Sequence, residues 1–287
     1  MGRHGKNLLL TFDAFNTLFT PRNPIPLTYL RAAQRHGIDC NNDAHAVAQS
    51  FKTAFHQASI RFPNYGKASH LDASQWWGDI IRNTFAPFVA SSQAFPHALV
   101  QDLLHVYSSK EGYTLYEDVV PFFDFLRRRR WMESRSETYP DWRYQSTVIG
   151  IVTNSDARVP SILSSLGLVV GPLCYGGPDS RAQSLSDCKS IENDIDFVVT
   201  SYDVGHEKPD SRIFGAAREL AGEMLGRGVT LDDFECVHVG DEVAKDVYGA
   251  RGAGWKGVRL VRELEEGKTG DVDEISSLNM LPGILSE

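Results

Sequence analysis

Short apolar runs, most ending in small polar or acidic residues, constrain this chain more than any other feature. The first covers residues 7–12, inside "LLLTFDAFNTLF" (8–19), and stops at Asp13. "STVIGIVTNS" (146–155), "DFVVTS" (196–201), "CVHVGD" (236–241) and "WKGVRLV" (255–261) follow. Runs this short and continuously apolar suit strands buried on both faces. Helical spacing separates them: around 119–131, over 158–166 up to Gly167, and from Ser211 to about Leu225. In the last, Ile213, Phe214, Ala217, Leu220, Ala221 and Met224 share one face. Strand–helix alternation predicts an α/β core whose parallel sheet is covered by helices.

The stretch between the first run and residue 112 has a different texture. After the proline-rich "TPRNPIP" (20–26), apolar residues recur only at helical spacing. Val47, Phe51, Ala54, Phe55 and Ala58 form one such series, and Trp77, Ile80, Ile81, Thr84 and Phe85 a second. Val100, Leu103, Leu104 and Tyr107 form a third. The expected organisation is a core from 1–22 and 112–287 with an inserted all-helical block over 23–111. Two polar stretches without periodicity, 133–145 and 175–196, read as mobile surface insertions.

Composition excludes several classes. Hydrophobic residues at 42% and charged ones at 23% suit a soluble globular chain, and a net charge of −8 argues against a nucleic-acid surface. The basic run "RRRR" (127–130) ends a helical pattern, where cations complement the helix dipole. No run approaches a membrane span. The N-terminal apolar segment is too short for a signal peptide, and Lys6 stands where a myristoylation pattern needs Ser or Thr. Cys40, Cys174, Cys188 and Cys236 form no CxxC pair, which points to a reducing compartment: the cytosol, with the nucleus as alternative. Cys174 and Cys188 frame the second polar stretch and read as unpaired loop thiols.

In sheets of this kind ligands bind beyond the carboxyl ends of the strands. Asp13 stands at the first such end, Thr153, Asn154 and Ser155 at the second, and Asp241 after "VHVG". "GHEKPDSRIF" puts Lys208 just before a proline and a helix, and "GDEVAKD" adds Asp246. An isolated carboxylate at the end of an apolar strand is costly unless it is paired or used.

These residues resemble the four motifs of the haloacid dehalogenase-like (HAD) superfamily, in the same order: "DAFNTL", "VTN", Lys208-Pro209 and "GDEVAKD". "NYG" (64–66), "QWW" (75–77), "LYEDVVP" and "KPDSRIF" resemble the branch of haloacid dehalogenase-like hydrolase domain-containing protein 3. The resemblance implies a Rossmann-like core with a helical cap. It implies Asp13 as nucleophile toward phosphorus, with Thr153, Asn154 and Lys208 holding the phosphoryl oxygens. It also implies Mg²⁺ held by Asp13, Asp241 and the backbone carbonyl of Phe15, with Asp246 acting nearby or through water. Phe15 departs from the pattern, because the superfamily's phosphatases carry a second aspartate there as general acid and base.

Three readings follow. The first is a hydrolase of a small phosphorylated molecule, slowed by Phe15 or using a substitute acid such as Glu242 or a cap residue. The alternative is a non-catalytic protein of this fold that binds a phosphorylated ligand or partner. The lesser alternative is a dehalogenase-type hydrolase, since an apolar residue at this position resembles the L-2-haloacid dehalogenases. Neither nucleic acid nor membrane is expected as a partner. Trp76 and Trp77 are candidates to face a substrate, with at least one of them read as packing within the helical block, and Thr17 reads as a loop-fixing hydroxyl. His206 reads as a loop histidine without a role.

Overall fold

The structure, a computed structural model, describes residues 6–135, 142–176, 191–226, 230–262 and 271–286. Nine strands are defined in chain order: β1 (Asn7–Phe12), β2 (Phe19–Pro21), β3 (Tyr113–Leu115), β4 (Thr147–Thr153) and β5 (Val170–Cys174). They continue with β6 (Ile195–Thr200), β7 (Phe234–Gly240), β8 (Lys256–Leu260) and β9 (Asp273–Ile275). Seven form one sheet in the order β5-β6-β4-β1-β7-β8-β9, and every neighbouring pair is parallel. β2 and β3 pair as a separate ribbon.

Strand order explains where chemistry can collect. After β1 the chain builds the sheet on the β4 side, then returns to lay β7 on the other side of β1. The loops leaving β4 and β7 therefore diverge around the end of β1, the switch point at which parallel sheets bind ligands. All residues of β1, β4 and β6 are buried, which is why their sequences read as unbroken apolar runs. Gly150 is required in β4 because a Cβ there would fall on the Phe197 ring of the neighbouring strand.

By contacts the chain divides into two units: Met1–Thr20, Leu115–Asn154 and Gly167–Glu287 in one, Pro21–Thr114 and Ser155–Leu166 in the other. The second unit is helical, with helices Ile25–Arg35, Ala44–Arg61, Ala73–Phe85, His97–Val106 and Val159–Ser165. The expected core assignment of 155–166 is corrected here, for a specific reason. Asp156 accepts a hydrogen bond from the Trp77 indole N–H at 2.9 Å and is paired to Arg158, whose guanidinium stacks on the Trp77 ring at 4.5 Å. Arg158 also donates to the Tyr107 carbonyl, so this segment is tied to two helices of the second unit. Asp43 and Asp72 cap their helices, the latter in a capping box with Gln75. Trp76 is buried and donates its indole N–H to the Phe62 carbonyl. Among the described residues no helix is long and apolar enough to cross a membrane.

The polar stretches and the basic run also differ from expectation. Residues 136–141 and 177–190, including Cys188, lie outside the described residues. Their flanks are anchored rather than loose. Trp142 and Tyr144 are buried, and Trp142 donates to Glu133. Asn193, Asp194 and Asp196 are buried on the arginine run. Arg130, 3% exposed, donates to Asp196 at 2.7 Å and to the Asn193 carbonyl at 2.8 Å, while Arg127 pairs with Asp194. The helix Val119–Ser134 runs past the run, so these arginines are ion-pair donors within it rather than a solvated helix end. Strand β5 is not anticipated either. It is an edge strand containing Gly171 and Pro172, and an edge is where a sheet tolerates proline.

Candidate active site

The loop after β1 begins at Asp13, whose backbone N–H donates to the Val239 carbonyl of β7 at 2.9 Å. That bond ties the carboxyl ends of β1 and β7 together. Asn16 turns the loop with φ 56°, a left-handed value asparagine tolerates better than most residues. Thr17 is fully buried and donates to Asp241 at 3.5 Å. Its carbonyl accepts from Arg262 at 3.1 Å and 2.5 Å. Arg262 is itself fixed by both oxygens of Asp118 and by the face of Tyr116. The hydroxyl role expected of Thr17 is the one observed.

Lys208 is the hub. Its ammonium donates to Asp13 Oδ1 at 2.6 Å, Asp246 Oδ1 at 2.6 Å and the Val152 carbonyl at 2.8 Å, so its three N–H donors are all engaged. Burial would lower the Lys208 pKa, but the two carboxylates outweigh it and hold the ammonium protonated. Burial raises Asp13, Lys208 opposes it, and Asp246 pushes the same way as burial. Thr153, 1% exposed, adds a hydrogen bond to Asp13. Asn154 accepts the Lys208 backbone N–H at 2.6 Å and donates to the Lys208 carbonyl at 3.0 Å. Its side chain therefore clamps the lysine loop, a role not foreseen from its position.

Asp246 rides on a π-helical turn, Val243–Val247, a feature that recurs at functional sites. Gly240 makes room for it, because a Cβ at Gly240 would lie on the Asp246 carboxylate. Despite the opposing effect of burial, Lys208 and His238 hold Asp246 well below the ordinary carboxylate range. Its second oxygen accepts the Glu242 N–H at 2.8 Å.

His238 is a component that pattern reading does not single out. It is completely buried, with Nε2 at 3.3 Å from Asp246 Oδ1 and Nδ1 at 2.9 Å from the Thr11 hydroxyl. Burial lowers its pKa despite Asp246, so the ring is neutral near pH 7. The consistent tautomer carries its proton on Nε2, donating to Asp246 and accepting from Thr11 at Nδ1. One signal was available: His238 and Gly240 share a face of β7, and the space left by Gly240 brings Asp246 toward that histidine.

Asp241 completes the acidic group. Burial first, then the charges of Asp13 and Asp246, push its pKa from 3.8 to about 6. Two carboxylates thus share one ammonium beside a neutral histidine, and the charge of both is felt at Asp241. Among the described residues no three His, Cys, Asp or Glu side chains converge as a ready-made metal cage. Mg²⁺ does not require one, since it binds through one or two carboxylates and keeps several waters. The carboxylate oxygens of Asp13, Asp241 and Asp246 are the donor type such an ion takes.

Phe15 is partly buried, and its ring packs edge to face on Phe19. Glu242 is 54% exposed at its side chain and bonds Lys245, and His206 lies 3.8 Å from Asp210 on the surface.

Comparison with known proteins gives the family. The model of the haloacid dehalogenase-like hydrolase family matches residues 9–254, and the chain belongs to that family. It is 32% identical over 247 residues to an uncharacterized hydrolase of Schizosaccharomyces pombe, covering 86% of this chain and 87% of that protein. It is 31% identical over 248 residues to the haloacid dehalogenase-like hydrolase domain-containing protein 3 of Bos taurus, covering 86% and 78%. A HAD phosphatase from Thermococcus onnurineus shares the fold, with TM-score 0.53, 20% identity and 97% of each chain covered.

Proposed function

We propose that this HAD-type hydrolase acts on a small phosphorylated molecule, with Asp13 as nucleophile and Mg²⁺ as cofactor. The observation that carries the reading is the Lys208 ammonium held at 2.6 Å from both Asp13 and Asp246, at the switch point of the sheet. A lysine so fixed offsets the charge that a carboxylate and a phosphoryl group would otherwise oppose to each other. Thr153 and Lys208 orient Asp13 and are the donors next to an incoming phosphoryl oxygen. Asn154 acts first on Lys208, by holding its backbone, and so positions the ammonium. Asp13, Asp241 and the Phe15 carbonyl would hold the cation, with Asp246 held in place by Lys208, His238 and the Glu242 N–H. When bound, Mg²⁺ supplies charge neutralisation for the phosphoryl oxygens. The helical unit corresponds to the cap of the resemblance and would carry substrate choice.

Phe15 supports a second reading, a protein that binds a phosphorylated ligand without turning it over, because a phenyl ring cannot exchange protons. A phosphatase screen over small phosphorylated compounds with Mg²⁺, using Asp13→Asn as control, separates the two. Turnover lost in the variant supports the hydrolase; ligand binding without turnover supports the second reading.

A further inference from the structure

We propose that the C-terminal segment positions the cation site: Ser277 and the Leu278 N–H hold Asp118, Asp118 holds Arg262, and Arg262 fixes the loop that begins at Asp13. This rests on the hydrolase reading above and adds positioning residues to it. Arg262, Ser277 and Leu278 lie beyond residues 9–254, the span that the family model matches. All belong to the sheet unit, together with Asp13, Thr17 and Asp241.

Asp118 stands at the N-terminus of the helix Val119–Ser134, where an aspartate ordinarily accepts from first-turn N–H groups. It makes no such bond. Its Oδ2 accepts instead from the Ser277 hydroxyl at 2.9 Å and the Leu278 N–H at 2.8 Å. Both of its oxygens accept from Arg262 Nη1, at 2.7 Å and 2.8 Å. The C-terminal donors are themselves fixed. Leu278, Leu281 and Leu285 are buried, and the Tyr144 hydroxyl donates to the Leu285 carbonyl at 3.2 Å.

Arg262 presents its other edge to the loop. Nε and Nη2 both donate to the Thr17 carbonyl, at 3.1 Å and 2.5 Å, and Cζ lies 4.1 Å from the centroid of the Tyr116 ring. The Tyr116 N–H donates to the next carbonyl, that of Leu18, at 3.1 Å. Two consecutive carbonyls are thus gripped from outside the loop. The side chains of Arg262 and Asp118 are only 9% and 11% exposed, so water competes little for these bonds.

Within the loop, the Leu18 and Phe19 N–H groups both donate to the Ala14 carbonyl, and the Asn16 N–H donates to the Phe19 carbonyl. Its residues therefore move together, and holding Thr17 and Leu18 holds the stretch that carries Asp13 and the Phe15 carbonyl. The Thr17 hydroxyl extends the chain of contacts to Asp241 at 3.5 Å. A lysine at 262 keeps the charge but lacks the planar fork that grips a carbonyl with one edge and a carboxylate with the other. Removing a group that orients a metal ligand from behind costs about 10–100-fold in metal affinity. Arg262 works through Thr17, one step farther out, so the lower end of that range applies.

The test compares wild type, Arg262→Lys and Ser277→Ala, with Glu274→Gln as control. Glu274 lies in the same segment but pairs with Arg259 rather than with the loop. Amide hydrogen exchange in chelator reads the loop without metal, and calorimetric titration with Mg²⁺ reads the site. Arg262→Lys is expected to speed exchange over 13–19 by about tenfold, with β4 and β6 unchanged, and to weaken Mg²⁺ binding by about tenfold. Ser277→Ala should shift both in the same direction by less, and it leaves Arg262 in place should Arg262→Lys fold poorly. Glu274→Gln should shift neither. Wild-type exchange and Mg²⁺ affinity in both variants would overturn the inference and leave the hydrolase reading intact. So would a control that loosens the loop as much as Arg262→Lys does, since the segment would then act only through stability. A wild type that binds no Mg²⁺ would remove the hydrolase reading and this inference with it.

Discussion

The ring of Phe15 meets that of Phe19 edge to face, with centroids 4.7 Å apart, and Phe19 is completely buried. The side chain two residues after Asp13 thus belongs to an aromatic pair on the same loop. Replacing it by a carboxylate removes a contact of about 0.5–1.5 kcal/mol and introduces a group able to exchange protons. Phe15→Asp is expected to raise aryl phosphate turnover by about ten- to a thousandfold, below the full acid–base contribution because the pocket is shaped around a ring. Steady-state hydrolysis by wild type, Phe15→Asp and Asp13→Asn checks this, and a Phe15→Asp protein slower than wild type would show that another group supplies the proton.

Lys208 is 3% exposed and bonds two carboxylates. Lys208→Met leaves both without a counter-ion, so the folded state should lose about 3–5 kcal/mol in urea unfolding. Adding Asp13→Asn to that variant should recover part of the loss, because one of the stranded charges is removed.

The pKa of Asp241, raised from 3.8 to about 6 by burial and by Asp13 and Asp246, gives a pH dependence of definite sign. Between these values the folded state holds a proton that the unfolded chain has released. Without metal, this residue's contribution therefore weakens stability as pH rises from about 4 to 6, and the deficit persists above. In chelator at pH 8, Asp241→Asn should melt higher than wild type, with the difference vanishing below pH 4. Adding Mg²⁺ should raise the wild-type melting temperature and leave the variant unmoved. Equal responses in both proteins would exclude Asp241 as a ligand.

Arg130 and Asp196 form an ion pair buried on both sides, and the other Asp196 oxygen accepts the Ile149 N–H of β4 at 2.9 Å. Arg130→Met should destabilise the sheet unit by about 3–5 kcal/mol, read from the denaturation midpoint. A change near zero would assign the arginine to solvent, as a helix-end reading would have it.

The carboxylates of Asp241 and Asp246 oppose a dehalogenase chemistry in which Asp13 attacks carbon. Incubation with a short 2-haloacid is expected to release no halide above background. Chelator-resistant release would reverse the order of the readings.

What was legible in the chain follows from how far each signal reaches. β1, β4 and β6 are buried on both faces, so each reads as a continuous apolar run, and β7 reads as apolar up to Asp241. The helices of the second unit carry their own periodicity. Edge strands carry no such signal: β5 contains Pro172, and β9 is three residues long. The candidate site residues stand at strand ends and could be located, but their mutual bonding could not. Asn154 clamps the backbone of a residue far along the chain, and the partners of Arg127 and Arg130 lie beyond β5. Those pairings are created by folding, and nothing local announces them. His238 lay between the two cases, since strand parity with Gly240 was visible but the approach of Asp246 was not.

The segment Ser155–Leu166, bonded to Trp77 and Tyr107, limits how this molecule can be recombined with its relatives. A chimaera that transplants only Pro21–Thr114 would strip the Trp77 indole of its acceptor and the Arg158 guanidinium of its stacking partner. The helical unit is inherited in two pieces, and the second begins at the residue directly after Asn154. Any exchange of that unit, by breeding in the laboratory or by descent, must therefore cut the chain immediately beside the clamp on Lys208.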